Sequence, residues 1–386
     1  MKLDRKIYLL VLISILLIIG TILITLRKGE EKKPADNENL EIEFEVIAQN
    51  LEVPWDLDFA PDGRIFFTER PGRIRTIVNG KLDPDPWASL SVFSRGEAGL
   101  MGIAISPNFE NNGHIYVYHT YRGPEDHIWN RIVRFIDKNN RGEFDKIILD
   151  EIPGGQIHDG GRVKFGPDGK LYVTTGDSGN SSLAQNLDSL AGKILRINAD
   201  GSTPQDNPFQ GSPIWSYGHR NPEGLTWHPE TGTLYATEHG PSGHDELNVI
   251  EKGGNYGWPK VRGKSDGEDY IDPILESGSG TWAPSGTSFY SSNRIPTWKG
   301  NLFFVTLGFT PGGGRRSLHR VIFKQNNLRT VENHTILLES RNDRLRAVEE
   351  GPDGYLYITT SNRDGRGDPD SGDDRIMRIK VSSSKN

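Results

Sequence analysis

The sequence has 386 residues, of which 34% are apolar, and it contains 45 glycines, 23 prolines and no cysteine. The lack of cysteine excludes disulfide bonds, thiolate metal ligands and cysteine nucleophiles. A net charge of −7 argues against nucleic acid as a partner, because phosphate binding calls for a basic surface. The many glycines and prolines favour short strands joined by tight turns over a helical bundle.

The first predicted element is an apolar helix near the N-terminus. Residues 7–26 carry no charge and are flanked on both sides by lysines and arginines. A helix of this length rises about 30 Å, the thickness of the bilayer core. A cleavable signal peptide is the alternative, but its apolar segment would be shorter and would end in an Ala-x-Ala-like site, which the sequence lacks. We therefore predict a transmembrane anchor (or uncleaved signal) at 1–28, a polar linker at 29–40 and a folded domain at 41–386.

Within the folded domain, a turn followed by an aromatic or β-branched strand recurs six times. The six strands begin at Arg64, His114, Lys170, Thr233, Asn301 and Tyr355. Spacings of about 45 to 70 residues fit propeller blades with loop insertions, because a minimal blade has about 40 residues. An open β-solenoid is the alternative, but its repeats would be more closely spaced. The predicted fold is an all-β, six-bladed β-propeller, in which residues 41–47 alternate as a strand and add to the last blade.

Loops that depart from the repeat hold the candidate functional residues. The richest runs from Gly154 to Gly179 and places His158 among glycines. Glycine lets the backbone approach a ligand closely, and imidazole is suited to proton abstraction near neutral pH. The alternative for His158 is a loop histidine that hydrogen-bonds a neighbouring carbonyl group.

Other departures add cationic and acidic groups. Arg220 offers a planar fork of donors suited to carboxylate or quinone oxygens, and Asn221 adds a donor and an acceptor. Arg344 and Arg346 fall on one face of a predicted strand, and with Arg220 they would form an anion-binding floor. The alternative is that they are surface arginines. Glu97 is an acidic residue framed by glycines, a pattern of low specificity.

The segment 237–246 combines histidines and carboxylates. Its two histidines stand in a Gly/Pro turn and not at helical spacing, which argues against a transition-metal site. Oxygen ligands from Gly240, Pro241 and Glu246 suit calcium better, and a solvated turn is the alternative. The acidic residues at 364–374 match no 12-residue calcium loop and are predicted to form a polar loop.

Taken together, these segments resemble the soluble pyrroloquinoline quinone (PQQ)-dependent glucose dehydrogenase family, in particular its aldose sugar dehydrogenase branch. The resemblance runs from about Val53 to Arg378. Its most specific segments are HDGGR at 158–162, GHRNPEGL at 218–225, DELN at 245–248 and GGNYGWP at 253–259. The resemblance implies a six-bladed propeller that binds PQQ over the ring centre and oxidises the C1 hydroxyl group of aldose sugars to lactones.

The resemblance also implies residue roles. His158 would be the general base that takes the proton of the sugar hydroxyl group as hydride passes to PQQ. The residues that would contact the cofactor are Glu97, Arg220, Asn221, Arg344 and Arg346. The residues that would ligate calcium are Gly240 and Pro241, through carbonyl groups beside PQQ, and Glu246 and the Tyr256 backbone at a second, structural ion.

The sequence departs from the family's pattern at two places. Ile157 stands where the glucose enzymes have an aspartate before the catalytic histidine, so the sequence does not identify an acid that orients His158. A later loop lacks the family's cofactor-contacting lysine and leaves Arg315, Arg316 and His319 as candidates to replace it.

Two other functions stay open from the sequence. Six-bladed propellers include calcium-dependent lactonases, in which a central metal polarises a carbonyl group, and the chain could also be a non-catalytic extracellular binding propeller. The main prediction is a membrane-anchored, single-pass dehydrogenase of aldose sugars on the outer face of the cell membrane. It would pass electrons to an acceptor that the sequence does not identify.

Overall fold

The computed structural model describes residues 40–265, 267, 269–308, 316–338 and 343–383. By internal contacts the chain divides into a large unit, Phe44–Lys380, and a small unit whose described parts are residues 40–43 and 381–383. Among the described residues, no helix is long and apolar enough to cross a membrane. The predicted anchor at 7–26 lies outside the described residues, and so do residues 29–39 of the predicted linker.

The strands of the described residues form six sheets, each of which is one blade. Written from the first strand outward, the first three blades are β2 (Pro54–Phe59), β3 (Ile65–Glu69), β4 (Arg73–Val78) and β5 (Lys81–Leu82), with β6 (Ala88–Ser89) also paired to β4; β7 (Leu100–Ile105), β8 (His114–Arg122), β9 (Ile128–Asp137) and β10 (Gly142–Pro153); and β11 (Val163–Phe165), β12 (Leu171–Thr175), β13 (Lys193–Ile197) and β14 (Ile214–Tyr217). The other three are β15 (Pro222–Trp227), β16 (Leu234–Glu238), β17 (Glu246–Ile250) and β18 (Leu275–Glu276); β19 (Pro284–Phe289), β20 (Leu302–Thr306), β21 (Leu318–Lys324) and β22 (Asn327–Leu337); and β23 (Leu345–Glu350), β24 (Leu356–Thr360), β25 (Ile376–Ser383) and β1 (Leu40–Ala48). Within the described ranges, the helical segments are α1 (Phe109–Asn112) and short 3-10 turns at Pro124–Asp126, Ser181–Gln185 and Pro296–Trp298.

The first strands of the blades surround a common axis. Each contacts the first strand of the next blade, in the order β2, β7, β11, β15, β19, β23 and back to β2. In the sixth blade β1 pairs with β25, so strands from both ends of the domain complete one sheet. These contacts confirm the predicted six-bladed β-propeller and the pairing of the first strand with the last blade.

The core lies between neighbouring blades. Phe66 and Phe67 are adjacent on β3 and are both fully buried, because successive side chains of a strand point to opposite faces. Phe66 packs in the cluster between the first and second blades, and Phe67 packs in the cluster between the sixth and first. Similar clusters lie between the second and third, the third and fourth, and the fourth and fifth blades. A strand buried on both faces has no polar side, which explains the continuous apolar and aromatic strands in the repeat.

The antiparallel order within each blade decides where loops meet. A second strand runs back against the first, so the start of the first strand and the end of the second lie at the same edge of the blade. The recurring turns, which are Pro-Asp-Gly at 61–63, 167–169 and 352–354, join the other ends of these strands. Loops that enter first strands and loops that leave second strands therefore converge on one face of the ring, opposite the recurring turns.

Candidate active site

A cavity of about 410 Å³ opens on this face. Its lining residues are Glu97, His158, Arg220, His239, Gly240, Ser242, Asp245, Thr281, Ala283, Leu307, Gly308, Arg344 and Arg366. All of them lie on loops before first strands or after second strands. Five of the residues predicted from the sequence are among them: Glu97, His158, Arg220, Gly240 and Arg344. Larger depressions of about 940 and 860 Å³ are lined mostly by the turns at the other end of the blades and by outer strands, and they contain none of the predicted residues.

The imidazole ring of His158 is oriented by an acid from its own blade. Its Nδ1 lies 2.7 Å from Oδ1 of Asp177, which follows β12. Oδ1 also accepts the amide of Gly179 at 2.8 Å, and the indole Nε1 of Trp258 donates to Oδ2 at 2.8 Å. Burial alone would raise the pKa of Asp177, but the hydrogen bonds from His158, Trp258 and Gly179 outweigh it and lower the pKa. The ionised carboxylate accepts, so Nδ1 of His158 carries the proton and Nε2 can act as a base.

The backbone at His158 is also held in place. Its φ of 59° lies in the left-handed region that non-glycine residues rarely adopt. The carboxylate of Glu97 accepts the His158 amide at 2.8 Å, and the carbonyl oxygen of His158 accepts the Ser178 amide at 3.0 Å. A Cβ at Gly176 would lie 1.9 Å from that oxygen, so only glycine permits this approach. These contacts fix the position from which the imidazole reaches the cavity.

Glu97 pairs with a cation that the sequence reasoning missed. Its Oε1 lies 2.8 Å from Nη1 of Arg366, a half-exposed side chain on the loop after β24. Burial would raise the pKa of Glu97, but the His158 amide and the nearby His239 and Arg366 lower it to about 2. Glu97 therefore stays ionised and joins the histidine loop to the arginine loop.

Arg220 presents unused hydrogen-bonding capacity at the cavity. Its Nη1 donates to the carbonyl oxygen of His239 at 3.2 Å, and its guanidinium carbon lies 5.5 Å from the centre of the Trp258 ring. Its Nε is buried and has no hydrogen-bond partner among the described residues, and the same holds for Nε2 of His239. Buried donors of this kind are normally paired, so the cavity suits a ligand with acceptor oxygens.

Two of the predicted cofactor residues lie behind the lining. Asn221 is fully buried, and its side chain accepts the Gly160 amide at 2.9 Å and donates to Glu223 at 3.3 Å. Nη1 of Arg346 lies 2.9 Å from the other oxygen of Glu223. In this structure the two residues support the floor through a shared carboxylate and are not among the lining residues.

Arg344 and Arg346 share a buried counter-ion, Asp364. Oδ2 of Asp364 accepts Nε and Nη2 of Arg344 at 3.0 and 2.8 Å, and Nη2 of Arg346 lies 3.4 Å from it. The sequence predicted a polar loop for the acidic residues at 364–374, and these residues form a loop in the structure. Asp364 is nevertheless buried within that loop. Its side chain is 2% exposed, because two buried guanidinium groups need a carboxylate close by.

The predicted calcium ligands fall into two places. Gly240 lines the cavity beside Pro241, and its amide donates to Asp245 at 2.8 Å. The other Asp245 oxygen accepts the amides of Trp282 and Ala283 at 2.6 and 2.8 Å. Asp245 therefore holds this turn in place, and both of its carboxylate oxygens already accept backbone hydrogen bonds.

The second place lies deeper in the fourth blade. Glu246 pairs across the sheet with Glu238, and burial together with the Glu238 charge raises the pKa of Glu246. Tyr256 stacks on His219, whose Nδ1 lies 2.8 Å from Glu238. Among the described residues, no group of three or more histidine, cysteine, aspartate or glutamate side chains could hold a metal ion.

Three residues, Arg315, Arg316 and His319, are the candidates to replace the family's cofactor-contacting lysine. His319 is fully buried, stacks on Phe304 with ring centres 4.3 Å apart, and hydrogen-bonds Ser317 and His334. It therefore does not line the cavity. Arg316 is 4% exposed and is not among the lining residues, and Arg315 lies outside the described residues.

Comparison with known proteins agrees with this architecture. The sequence model of the family described as Glucose / Sorbosone dehydrogenase matches residues 51–377. The chain is 31% identical over 347 residues to the aldose sugar dehydrogenase YliI of Escherichia coli, with 84% of this chain and 91% of that protein covered. It is 36% identical over 263 residues to quinoprotein glucose dehydrogenase B of Acinetobacter calcoaceticus, with 58% and 54% covered. The PQQ-bound aldose sugar dehydrogenase of Streptomyces coelicolor matches with a TM-score of 0.79 and 34% identity, with 90% of this chain and 100% of that chain covered. The chain therefore belongs to the glucose/sorbosone dehydrogenase family.

Proposed function

We propose that the protein oxidises the C1 hydroxyl group of aldose sugars to lactones, with PQQ and calcium as cofactors. One observation carries the proposal: an oriented imidazole, His158, shares a cavity with the guanidinium groups of Arg220, Arg344 and Arg366. The names of the Escherichia coli and Streptomyces relatives, an aldose sugar dehydrogenase and a PQQ-bound one, support the substrate class and the cofactor.

The cavity residues fit PQQ, an ortho-quinone with three carboxylate groups. The volume of about 410 Å³ lies within the range of small-molecule sites. Arg220, Arg344 and Arg366 line the cavity, and Nε of Arg220, which has no hydrogen-bond partner among the described residues, can donate to an acceptor oxygen. Arg220, Arg344 and Arg366 would hold the group, with Asn221 and Arg346 beneath them and Glu97 setting the position of Arg366.

The chain's own residues would supply proton transfer and charge stabilisation. When bound, PQQ supplies the quinone that accepts hydride from the sugar. Nε2 of His158 would take the proton of the C1 hydroxyl group, because Nδ1 already donates to Asp177. The Asp177 carboxylate would stabilise the resulting imidazolium ion. Arg220 would donate to the oxygen on which negative charge develops.

The fit to calcium is less complete. The carbonyl groups of Gly240 and Pro241 are hard oxygen donors of the kind that calcium takes, and Glu246 with the Tyr256 backbone is the proposed second set. The described side chains offer no group of three or more carboxylates or imidazoles around either place. We therefore derive no catalytic step from calcium and propose it as a cofactor whose removal by a chelator lowers both PQQ affinity and thermal stability.

Reconstitution of the purified protein tests the proposal. PQQ and Ca²⁺ are added, binding is followed by the change in PQQ absorbance, and dye reduction is assayed with several aldoses. We expect binding, sugar-dependent dye reduction and a lactone product. The variant His158→Ala should bind PQQ like the parent protein and lose turnover. No spectral change on adding PQQ, or equal activity of His158→Ala, would overturn the cofactor or the base, respectively.

The lactonase alternative makes a different structural demand. A central catalytic metal needs several carboxylate or amide ligands that converge on it, whereas the described cavity presents three arginines. Hydrolysis of lactones by the PQQ-free protein would favour this alternative. A protein that bound glycans but neither PQQ nor calcium would favour the binding propeller.

We also propose that residues 7–26 anchor the protein in the cell membrane as a single pass, with the propeller on the outer face. The support is the uncharged apolar run itself. Fractionation of cells followed by protease treatment of intact cells tests this, because an outer domain would be cleaved while a cytoplasmic marker is spared. Recovery of the full-length protein in the soluble fraction would contradict the anchor.

A further inference from the structure

Trp258 is a half-buried residue on the loop between β17 and β18, and its main chain is held on both sides. Its amide donates to the carbonyl oxygen of Gly218 at 2.9 Å, and its carbonyl oxygen accepts the side-chain amide of Gln185 at 2.8 Å. It does not belong to the residues that line the cavity. Its ring nevertheless contacts two groups that act there.

The indole ring joins the histidine side of the cavity to the arginine side. Its Nε1 donates to Oδ2 of Asp177 at 2.8 Å, and Oδ1 of the same carboxylate binds His158. The guanidinium carbon of Arg220 lies 5.5 Å from the ring centre, within range of a cation–π contact. We propose that Trp258 is a positioning residue that sets the His158 imidazole through Asp177 and the Arg220 guanidinium through its ring. The proposal rests on the proposed function, in which His158 and Arg220 act on the substrate and cofactor.

The hydrogen bond from Trp258 to Asp177 fixes the plane of the Asp177 carboxylate. Oδ1 is held by His158 and the Gly179 amide, and Trp258 supplies the side-chain donor to Oδ2. Among the residues that the structure describes, these three groups face Asp177 and, at longer range, so does the guanidinium of Arg220. If the indole donor is lost, the carboxylate can rotate and the imidazole loses its fixed direction, because a side chain is positioned only as well as its partner.

The contact between the Trp258 ring and Arg220 fixes the orientation of the Arg220 guanidinium group. Its only side-chain hydrogen bond among the described residues is the 3.2 Å contact with His239, and its Nε has none. Such a weakly bonded guanidinium group would otherwise be free to turn. The indole ring provides a flat surface on one side, which leaves the N–H groups in the plane available to a ligand.

The variant Trp258→Phe separates these two contacts, because it removes the indole donor and keeps an aromatic ring. The matched control is Trp87→Phe, since Nε1 of Trp87 donates to an Asp137 oxygen at 2.7 Å in another part of the ring. In the cofactor-free protein, we expect the titration midpoint of Asp177, followed by carbon NMR of labelled aspartates, to rise by about half a unit to one unit in Trp258→Phe. The midpoint should not move in Trp87→Phe, which should lose only thermal stability.

Kinetics and binding provide the second readout. In the reconstituted enzyme, Trp258→Phe should lower kcat about tenfold, as expected for one hydrogen bond to a charged group, and should move the low-pH loss of kcat to higher pH. In a double variant with Asp177→Asn, Trp258→Phe should lower kcat no further than Asp177→Asn alone, because Trp258 acts on His158 through the Asp177 carboxylate. Trp258→Leu, which also lacks the aromatic ring, should in addition raise the Kd for PQQ about fivefold through Arg220.

An unchanged Asp177 midpoint in a folded Trp258→Phe protein would overturn the link to His158. Equal PQQ affinity of Trp258→Phe and Trp258→Leu would overturn the link to Arg220. The NMR midpoint is measured without cofactor or sugar, so it can support the positioning contact even if no aldose is oxidised. In that case the proposed function alone would fail.

Discussion

The imidazole of His158 and the carboxylate of Asp177 lie 2.7 Å apart, although 19 positions separate them in the sequence. The cause is the hairpin of β11 and β12, in which Val163 pairs with Val173 and brings the entering loop beside the leaving loop. The same geometry recurs in every blade, so each blade can bring two loop residues together at the cavity. In the third blade these two residues are His158, the proposed base, and Asp177, the carboxylate that orients its ring.

Asp177→Asn should lower kcat by about 10² to 10⁴, because an amide can present N–H to Nδ1 and favour the wrong imidazole tautomer. The Kd for PQQ should change little, since Asp177 does not line the cavity. Steady-state kinetics and a PQQ titration measure the two effects. Asp168→Asn is the control, because Asp168 pairs with Arg196 at the turn end of the same blade and should keep full activity. Normal turnover of Asp177→Asn would show that His158 needs no acid.

Arg220→Lys should raise the Kd for PQQ about 10-fold to 100-fold while the protein stays folded. The charge is kept, but the planar fork and the contact with Trp258 are lost. A fluorescence or absorbance titration of the cofactor-free protein measures the change. Arg294→Lys is matched, because Arg294 also stacks on an aromatic ring, Tyr355, at 4.3 Å and lies far from the cavity. Equal affinities for the two variants would contradict a direct role of Arg220.

Glu97→Gln should lower the free energy of unfolding by about 2 kcal/mol at pH 7. The pKa of Glu97 is lowered from 4.5 to about 2, so the ionised group stabilises the fold above pH 4.5. That contribution is lost as the pH falls from about 4.5 to about 2, because Glu97 takes up its proton in the unfolded state at a higher pH than in the folded state. The variant should therefore show a shallower loss of stability over this range, measured by denaturant unfolding at several pH values. Parallel curves for the variant and the parent protein would contradict the assignment.

Asp364→Asn should destabilise the protein by about 3 to 5 kcal/mol, because two buried guanidinium groups lose their shared counter-ion. Asp85→Asn is the control, since Asp85 is 72% exposed and 3.3 Å from Arg141, and its loss should lie within the measurement error. Denaturant midpoints of the two variants give the comparison. The burial of Asp364 also lets us expect weaker PQQ binding in Asp364→Asn, because Arg344 would no longer be held at the cavity. Similar midpoints for the two variants would show that the arginines do not depend on Asp364.

The sequence by itself determined the propeller and the loops that hold the candidate functional residues. Strands buried on both faces have to be apolar throughout, and tight turns need glycine and proline, so both leave a repeating pattern in the chain. Departures from that pattern, read with the family resemblance, led to His158, Arg220, Glu97, Arg344 and Gly240, which the tertiary structure brings to one cavity. The roles assigned to them stay predictions.

Tertiary structure alone decided how these groups are partnered. Asp177, Trp258, Asp364 and Arg366 make the contacts that orient or neutralise the predicted residues, and two of them, Asp364 and Arg366, lie in a segment that reads as a polar loop. Asn221 and Arg346, by contrast, turn out to lie behind the lining. Hydrogen bonds and ion pairs depend on distances of about 3 Å between loops that are far apart in the sequence, some within one blade and some in different blades, and no local pattern of residues encodes those distances. They are set only when the strands of each blade pair and the blades pack into the ring.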